Sequence, residues 1–360
     1  MEFSALFPIR ERCLYLDHAQ KAPLPKPCAD AMAAALATLR EGSFWQSREL
    51  SLADHQVRAL VSQVVGCHPA DVSLFHHPLE AFFALVCGLP AAPRAAALVA
   101  SEDQQALQRL GALLGRLGYE VQSVAPVRWR SAETLSAFGE RRFHLVLAPW
   151  VDELGWIVEP ATLRQSLAPG GVLVLDATHG VPCRPESFYE LGADALLLPS
   201  HTWLLGPPGV AALVSTQKLR RRWAPAFPSP RHPQLEDVAD GACFDAPDLA
   251  APALAGWAAS LELLLAQGLA EVRTRIFAHQ RTLTRTLVEL GWEVLSPGAA
   301  HGVVGIVAAK HPFFPAQEVQ RRLEEKHVRV GVLGDAVRFA PHFYTTIAEL
   351  EALRQLLAKL

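Results

Sequence analysis

Three apolar runs in this chain end in residues able to handle protons. FHLVLAPW (143–150) runs into Val151 and Asp152, GGVLVLDATH (170–179) closes on Asp176, Thr178 and His179, and ADALLLPS (193–200) leads through Ser200 to His201 and Thr202. A carboxylate and an imidazole three residues apart, as at Asp176 and His179, can donate and accept protons near neutral pH. His77, His179 and His201 with Asp103, Asp152 and Asp176 could converge on one pocket as an acid–base or metal-ligand set. No H-x-x-x-H or comparable spacing supports the metal reading, and none is expected. Plain structural readings stand beside these. Asp176 can cap a helix or a turn, His179 can be a satisfied turn histidine, Lys21 an exposed lysine, and Arg338 a bridge between two domains.

The elements that must position these residues read clearly between 95 and 215. Short continuous apolar runs at 95–101, 143–150, 170–179, 193–200 and 209–215 suit strands buried on both faces. Helix-like segments at 104–117, 131–141, 160–167 and 185–191 fall between them. Strands alternating with helices predict an α/β fold, a mostly parallel sheet covered on both sides. A long amphipathic stretch over 251–290, broken at Gly268, precedes a tail that reads as a small α+β unit with helices at 316–326 and from 347. The expected partition is a large domain over 15–250, a linking helix over 251–290, and a small domain from 1–14 plus 291–360. Residues 223–233, with four prolines, predict a surface loop.

A chain of 360 residues, 51% hydrophobic, can bury a large core. Its net charge of −3 gives no basis for binding nucleic acid or an anionic membrane, so neither partner is expected. The clusters Arg220–Arg222 and Arg321–Arg322 read as solvated helix faces. No start resembling a signal peptide is present, apolar stretches are short, and six cysteines are scattered without C-x-x-C spacing. A cytoplasmic protein without a disulfide framework is expected.

Four segments together resemble the class V aminotransferases of fold type I, a group that includes cysteine desulfurases and kynureninase. They are YLDHAQKAPLP (15–25), VLVLDATHGVPC (172–183), LGADALLLPSHTWLLGPPGVAALV (191–214) and VRFAPHFYTTIAEL (337–350). The resemblance implies a pyridoxal-phosphate transferase fold, usually a homodimer. It puts Asp176 where an aspartate pairs with the pyridine nitrogen, and His179 beside the phenolic oxygen. Ser200 and His201 flank the Schiff-base position, and Arg338 sits where the substrate carboxylate is held.

The departures point one way. Thr202 stands where the family has its lysine, and a hydroxyl can neither form an imine nor shuttle the proton. His77, Pro78 and Leu79 occupy the phosphate cradle, where proline removes an N–H donor. Asp103 replaces a ring-stacking histidine, and Asp152 an asparagine, each adding negative charge. Lys21 is the one candidate for a relocated amine. No cysteine follows Cys243, which sets desulfurization aside. The expected function is therefore a homologue without conventional pyridoxal chemistry, serving as a cofactor-independent catalyst or binding protein for a carboxylate-bearing metabolite. Two alternatives remain: an aminotransferase, lyase or epimerase holding its cofactor noncovalently or through Lys21, and a noncatalytic partner subunit.

Overall fold

A computed structural model describes residues 5–42, 52–90, 95–100, 105–124, 142–225, 240–298 and 304–360. In chain order its strands are β1 (Leu14–Leu16), β2 (Val72–Phe75), β3 (Ala96–Ala100), β4 (Glu120–Val124), β5 (Phe143–Pro149) and β6 (Leu167–Asp176). They continue with β7 (Ala195–Pro199), β8 (Ala211–Ser215), β9 (Glu293–Val294), β10 (Val307–Lys310), β11 (Val328–Leu333) and β12 (Ala336–Phe339). The continuous apolar runs became interior strands because both faces are covered: every residue of β3, β7 and β8 is buried.

The large sheet has seven strands in the order β2-β8-β7-β6-β5-β3-β4. The block from β7 to β4 is parallel, and β8 runs antiparallel to both β7 and β2. Helices Gln105–Arg116, Pro160–Arg164 and Phe188–Leu191 lie in connections between parallel strands, as such crossovers require. Pro149 is in register with Asp176, and Asp176 with Leu197, so β5, β6 and β7 end together on one edge. That edge is where open α/β sheets collect ligand-binding groups. The flanking strands β2 and β4 add to the five expected ones. In β4 the burial is broken because it lies at the sheet's rim.

The expected helix at 131–141 falls outside the described residues, as does most of the loop at 223–233. Trp223 itself is buried rather than at the surface, stacked on Phe244 at 3.9 Å and donating through Nε1 to the Ala84 carbonyl. Arg220 is likewise buried, not solvated, because Asp71 Oδ1 lies 2.9 Å from its guanidinium and compensates the charge.

Helices Ala251–Gln267 and Leu269–Glu289 meet at Gly268 with an 82° bend. The first is apolar nearly all round and buries Leu254, Trp257, Leu261 and Leu264 in the main core. Among the described residues no single helix is long and apolar enough to cross a membrane.

The small sheet has the order β1-β11-β12-β10-β9. β1 pairs in parallel with β11, so Tyr15 and Leu16 run in the small sheet although the sequence reading opens the large domain at 15. Strand alternation in β12 puts Val337 and Phe339 into the small core and turns Arg338 the other way, toward the edge of the large sheet.

Gly180 fixes the turn after β6. A Cβ there would sit 2.2 Å from Cε3 of the buried Trp150 ring. We expect Gly180→Ala to lower stability by about 1–3 kcal/mol through overpacking, measured by urea unfolding. An unchanged midpoint would show that the indole has room to move.

Candidate functional site

The shared edge of β5, β6 and β7 carries a cavity of about 180 Å³, which Arg338 of the small sheet also lines. His77, Asp176, His179, His201, Thr202 and Arg338 all line it. Six of the residues singled out in the sequence therefore converge. Asp176 ends β6 and folds back on itself: Thr178 donates to its Oδ1 from both backbone N–H and hydroxyl. Burial raises the Asp176 carboxyl above the usual carboxylate range, while those hydrogen bonds and the His77 ring oppose the shift.

His179 is buried, and its Nδ1 accepts a hydrogen bond from Trp203 Nε1 at 3.3 Å. Burial and the nearby Arg338 guanidinium push its pKa down to about 3. A neutral ring whose Nδ1 accepts must carry its proton on Nε2. His201 is also shifted down, first by burial and then by His77 and the Lys21 ammonium. Thr202 is buried, and its hydroxyl donates to the Thr178 carbonyl at 3.5 Å, the long end of hydrogen bonding.

Arg338 is 4% exposed and held among acceptors without a close pair. Its guanidinium lies 3.8 Å from Asp17 Oδ1 and 3.8 Å from Glu153 Oε2, and donates to Gln20 Oε1 at 3.3 Å. Burial outweighs Arg338 at Asp17 and raises that carboxyl to about 6. Gln20 and Glu153 line the cavity as well.

At the cavity wall, helix Pro78–Gly88 is capped from within. His77 Nδ1 accepts the Leu79 N–H at 3.1 Å, Pro78 has no N–H to offer, and Ala81 N–H bonds the His77 carbonyl. The Glu80 carboxylate reaches back to the His76 N–H at 2.8 Å and so places negative charge at the helix start.

Other expected site residues are placed elsewhere. Asp152 is buried outside the cavity lining, its Oδ1 accepting from Leu154 N–H at 2.9 Å and Trp156 N–H at 2.8 Å. It shapes the turn, and its neighbour Glu153 faces the cavity instead. Ser200 is fully buried and donates to the Pro207 carbonyl, which fastens the turn after β7. Lys21 is exposed and does not line the cavity. Asp103 lies outside the described residues. Sequence reasoning missed Gln20, Glu153, Asp17 and Trp203. Only Glu153 had a local signal: Asp152 followed by Gly155 at φ +90° marks a turn in which the aspartate serves its own backbone.

Fold and site define a fold-type-I pyridoxal-phosphate transferase fold. The aminotransferase class-V family model matches residues 14–353, and the chain belongs to that family. Among solved structures, the chain is similar to a lysine-to-alanine mutant of C-DES with glycine covalently linked to its PLP cofactor. The TM-score is 0.87 at 19% identity, over 99% of each chain. It is similar also to the cystine C–S lyase C-DES in complex with its product cysteine persulfide, with TM-score 0.87 and 20% identity over 98% of this chain and 99% of the other. The apo cysteine desulfurase of Thermococcus onnurineus NA1 matches with TM-score 0.81 and 17% identity, over 99% of this chain and 96% of that one. At these identities the likeness is one of fold. No curated protein sequence matches the chain.

The state of His179 has a measurable consequence. Its folded pKa of about 3 lies below the ordinary 6.5, so between those values the unfolded chain binds a proton that the folded chain does not. Through this residue, stability falls as pH drops below 6.5, by about 1.4 kcal/mol per pH unit. Urea unfolding of wild type and His179→Gln at several pH values should show wild type losing ground to the variant at that slope. A pH-independent difference would contradict the buried neutral ring.

Proposed function

We propose that this chain has left Schiff-base chemistry and binds a carboxylate-bearing small molecule, with neutral imidazoles placed for acid–base work on it. The observation that carries the reading is a buried arginine, Arg338, on a cavity that offers no amine. The chain's lysines are Lys21, Lys26, Lys218, Lys310, Lys326 and Lys359, and none lines the cavity. The sequence resemblance puts the family's lysine position at Thr202, whose hydroxyl is turned to the Thr178 carbonyl.

The residues present do not fit pyridoxal phosphate. A phosphate at a helix N-terminus needs free N–H donors and positive potential. Here the Leu79 N–H is taken by His77, Pro78 has none, and the Glu80 carboxylate already sits at that end. The volume of about 180 Å³ is also below the roughly 300–1,000 Å³ of ordinary small-molecule sites. A smaller ligand suits it better. Arg338 can bind a carboxylate through charge-assisted hydrogen bonds that Asp17 and Glu153, at 3.8 Å, do not fully make. His179 offers an Nε2–H donor, and the depressed His201 imidazole is unprotonated and able to accept a proton. A homodimer and a cytoplasmic location belong to the same proposal and rest on family membership.

A second reading has the chain holding the cofactor without a covalent anchor. What favours it is the C-DES mutant, which lacks a lysine yet carries glycine linked to its PLP cofactor. The capped helix and the small cavity weigh against it.

Succinate and acetate serve as probes in isothermal titration against wild type and Arg338→Met. Saturable binding by wild type, weakened about tenfold to a hundredfold in the variant, is expected from the loss of charged hydrogen bonds. Binding that ignores Arg338, or no binding by either protein, contradicts the reading. The second of those outcomes would favour a noncatalytic partner role.

A further inference from the structure

Asp17 follows β1 and lies against Arg338 without closing on it. Asp17 bridges to Ala340, and Gly331 of β11 stands in register with Arg338 of β12. A Cβ on Gly331 would sit 2.6 Å from Asp17 Oδ1 and 3.4 Å from Arg338 Nε. The missing side chain at 331 is what leaves room for a carboxylate beside the guanidinium. Asp17 itself does not line the cavity, whereas Arg338 and Gln20 do, so it acts on a ligand only through Arg338.

Two other buried arginines do close on an aspartate. Arg58 donates to Asp245 at 2.7 Å and Arg220 to Asp71 at 2.9 Å, the range of charge-assisted hydrogen bonds. Arg338 stays 3.8 Å from Asp17 Oδ1, and that buried oxygen has no hydrogen-bond partner. Leaving a buried carboxylate oxygen unbonded costs stability, so a contact that served only to brace the small sheet has every reason to close. The charged and titratable side chains acting on Asp17 come from three strands: Tyr15 on β1, Arg329 on β11 and Arg338 on β12. Burial outweighs the two arginines and holds the Asp17 carboxyl at about 6, whereas Tyr15, raised to about 12 by burial and then by Asp17, stays protonated. Glu153 and His179 face the same guanidinium from the large sheet.

We propose that Asp17 is the resident counter-charge of Arg338, and that a ligand carboxylate takes over that role as Asp17 accepts one proton from solvent. The inference rests on the carboxylate reading of the cavity given above. With a ligand bound, one guanidinium lies between two carboxylates. At roughly 7 Å and an effective dielectric of about 20, their repulsion changes the affinity of Asp17 for a proton by about tenfold or more. Ligand and proton therefore enter together, and the net charge of the site is unchanged. Asp17 is a positioning residue, setting how firmly Arg338 is available and at which pH.

The test is calorimetric titration of full-length wild type and Asp17→Asn with acetate, from about pH 6 to about pH 8, in buffers of low and high ionisation enthalpy. Acetate stays ionised over that range, so any pH dependence belongs to the protein. Wild type should bind about fivefold to tenfold more weakly at the upper pH, because there the proton that accompanies the ligand is scarce. Comparing the buffers should show uptake of a large fraction of a proton per acetate near neutrality. Asp17→Asn should bind at the upper pH as tightly as wild type does at the lower, with a flat profile and no uptake. Asp17→Ser gives the same readout if the amide disturbs the end of β1. Arg338-dependent acetate binding that ignores pH, or a pH dependence that survives both Asp17 variants, overturns this inference and leaves the carboxylate reading standing. No acetate binding by wild type at any pH overturns both.

Discussion

Two sets of buried hydrogen bonds, centred on His18 and on His342, hold the small sheet against the edge of the large one beside the cavity. Tyr344 hydroxyl donates to His18 Nε2 at 2.6 Å, and His18 Nδ1 donates to the Ala340 carbonyl at 2.8 Å. His342 Nε2 donates to the Trp203 carbonyl at 3.0 Å, and the Trp203 indole donates to His179. His18 and His342 are wholly buried, so a ring left unpaired would cost about 1–3 kcal/mol. Each bond also settles a tautomer. His18 and His342 each donate through one nitrogen and accept on the other, which requires neutral rings, and burial holds His18 down to about 4. The N-terminal segment, the turn after β7 and the strand end that follows Arg338 are thereby locked together.

That joint explains the electrostatic character of the cavity. Arg338 is two residues from Ala340, so the hydrogen bond from His18 also fixes the depth at which the guanidinium enters. Its field, with burial, keeps His179 unprotonated and moderates the burial shift at Asp17. A buried cation among neutral imidazoles and shifted carboxyls, beside a helix start that His77 and Glu80 already cap, is the electrostatic setting on which the proposed anion-binding role rests.

Much of this was legible in the sequence, for reasons that differ by element. Interior strands β3, β5, β6, β7 and β8 announced themselves as unbroken apolar runs, since burial on both faces leaves no alternation to misread. Edge strands β2 and β4 did not: β2 is four residues long, and the polar residues of β4 obscure it. Asp176, His179, His201 and Thr202 were readable because polar residues after buried parallel strands must share one sheet edge, whereas His77 and Arg338 were singled out through the family resemblance. Asp152 and Ser200 stand outside the cavity lining, the carboxylate bonded within its own turn and the hydroxyl closing a local loop. Gln20, Asp17 and Trp203 reach the site through contacts between distant segments, which no local pattern encodes. Arg220 read as surface because its partner, Asp71, is 149 residues away.

The most direct measurement is a titration of the purified full-length protein with pyridoxal phosphate, followed by visible absorbance, with borohydride added at the highest concentration. No saturable spectral change up to millimolar cofactor, where association is worth only about 4 kcal/mol, and no cofactor fixed to the chain by borohydride, is the predicted result. Saturable binding contradicts the account, and fixation at Lys21 would show that the chain moved its amine rather than abandoned the chemistry.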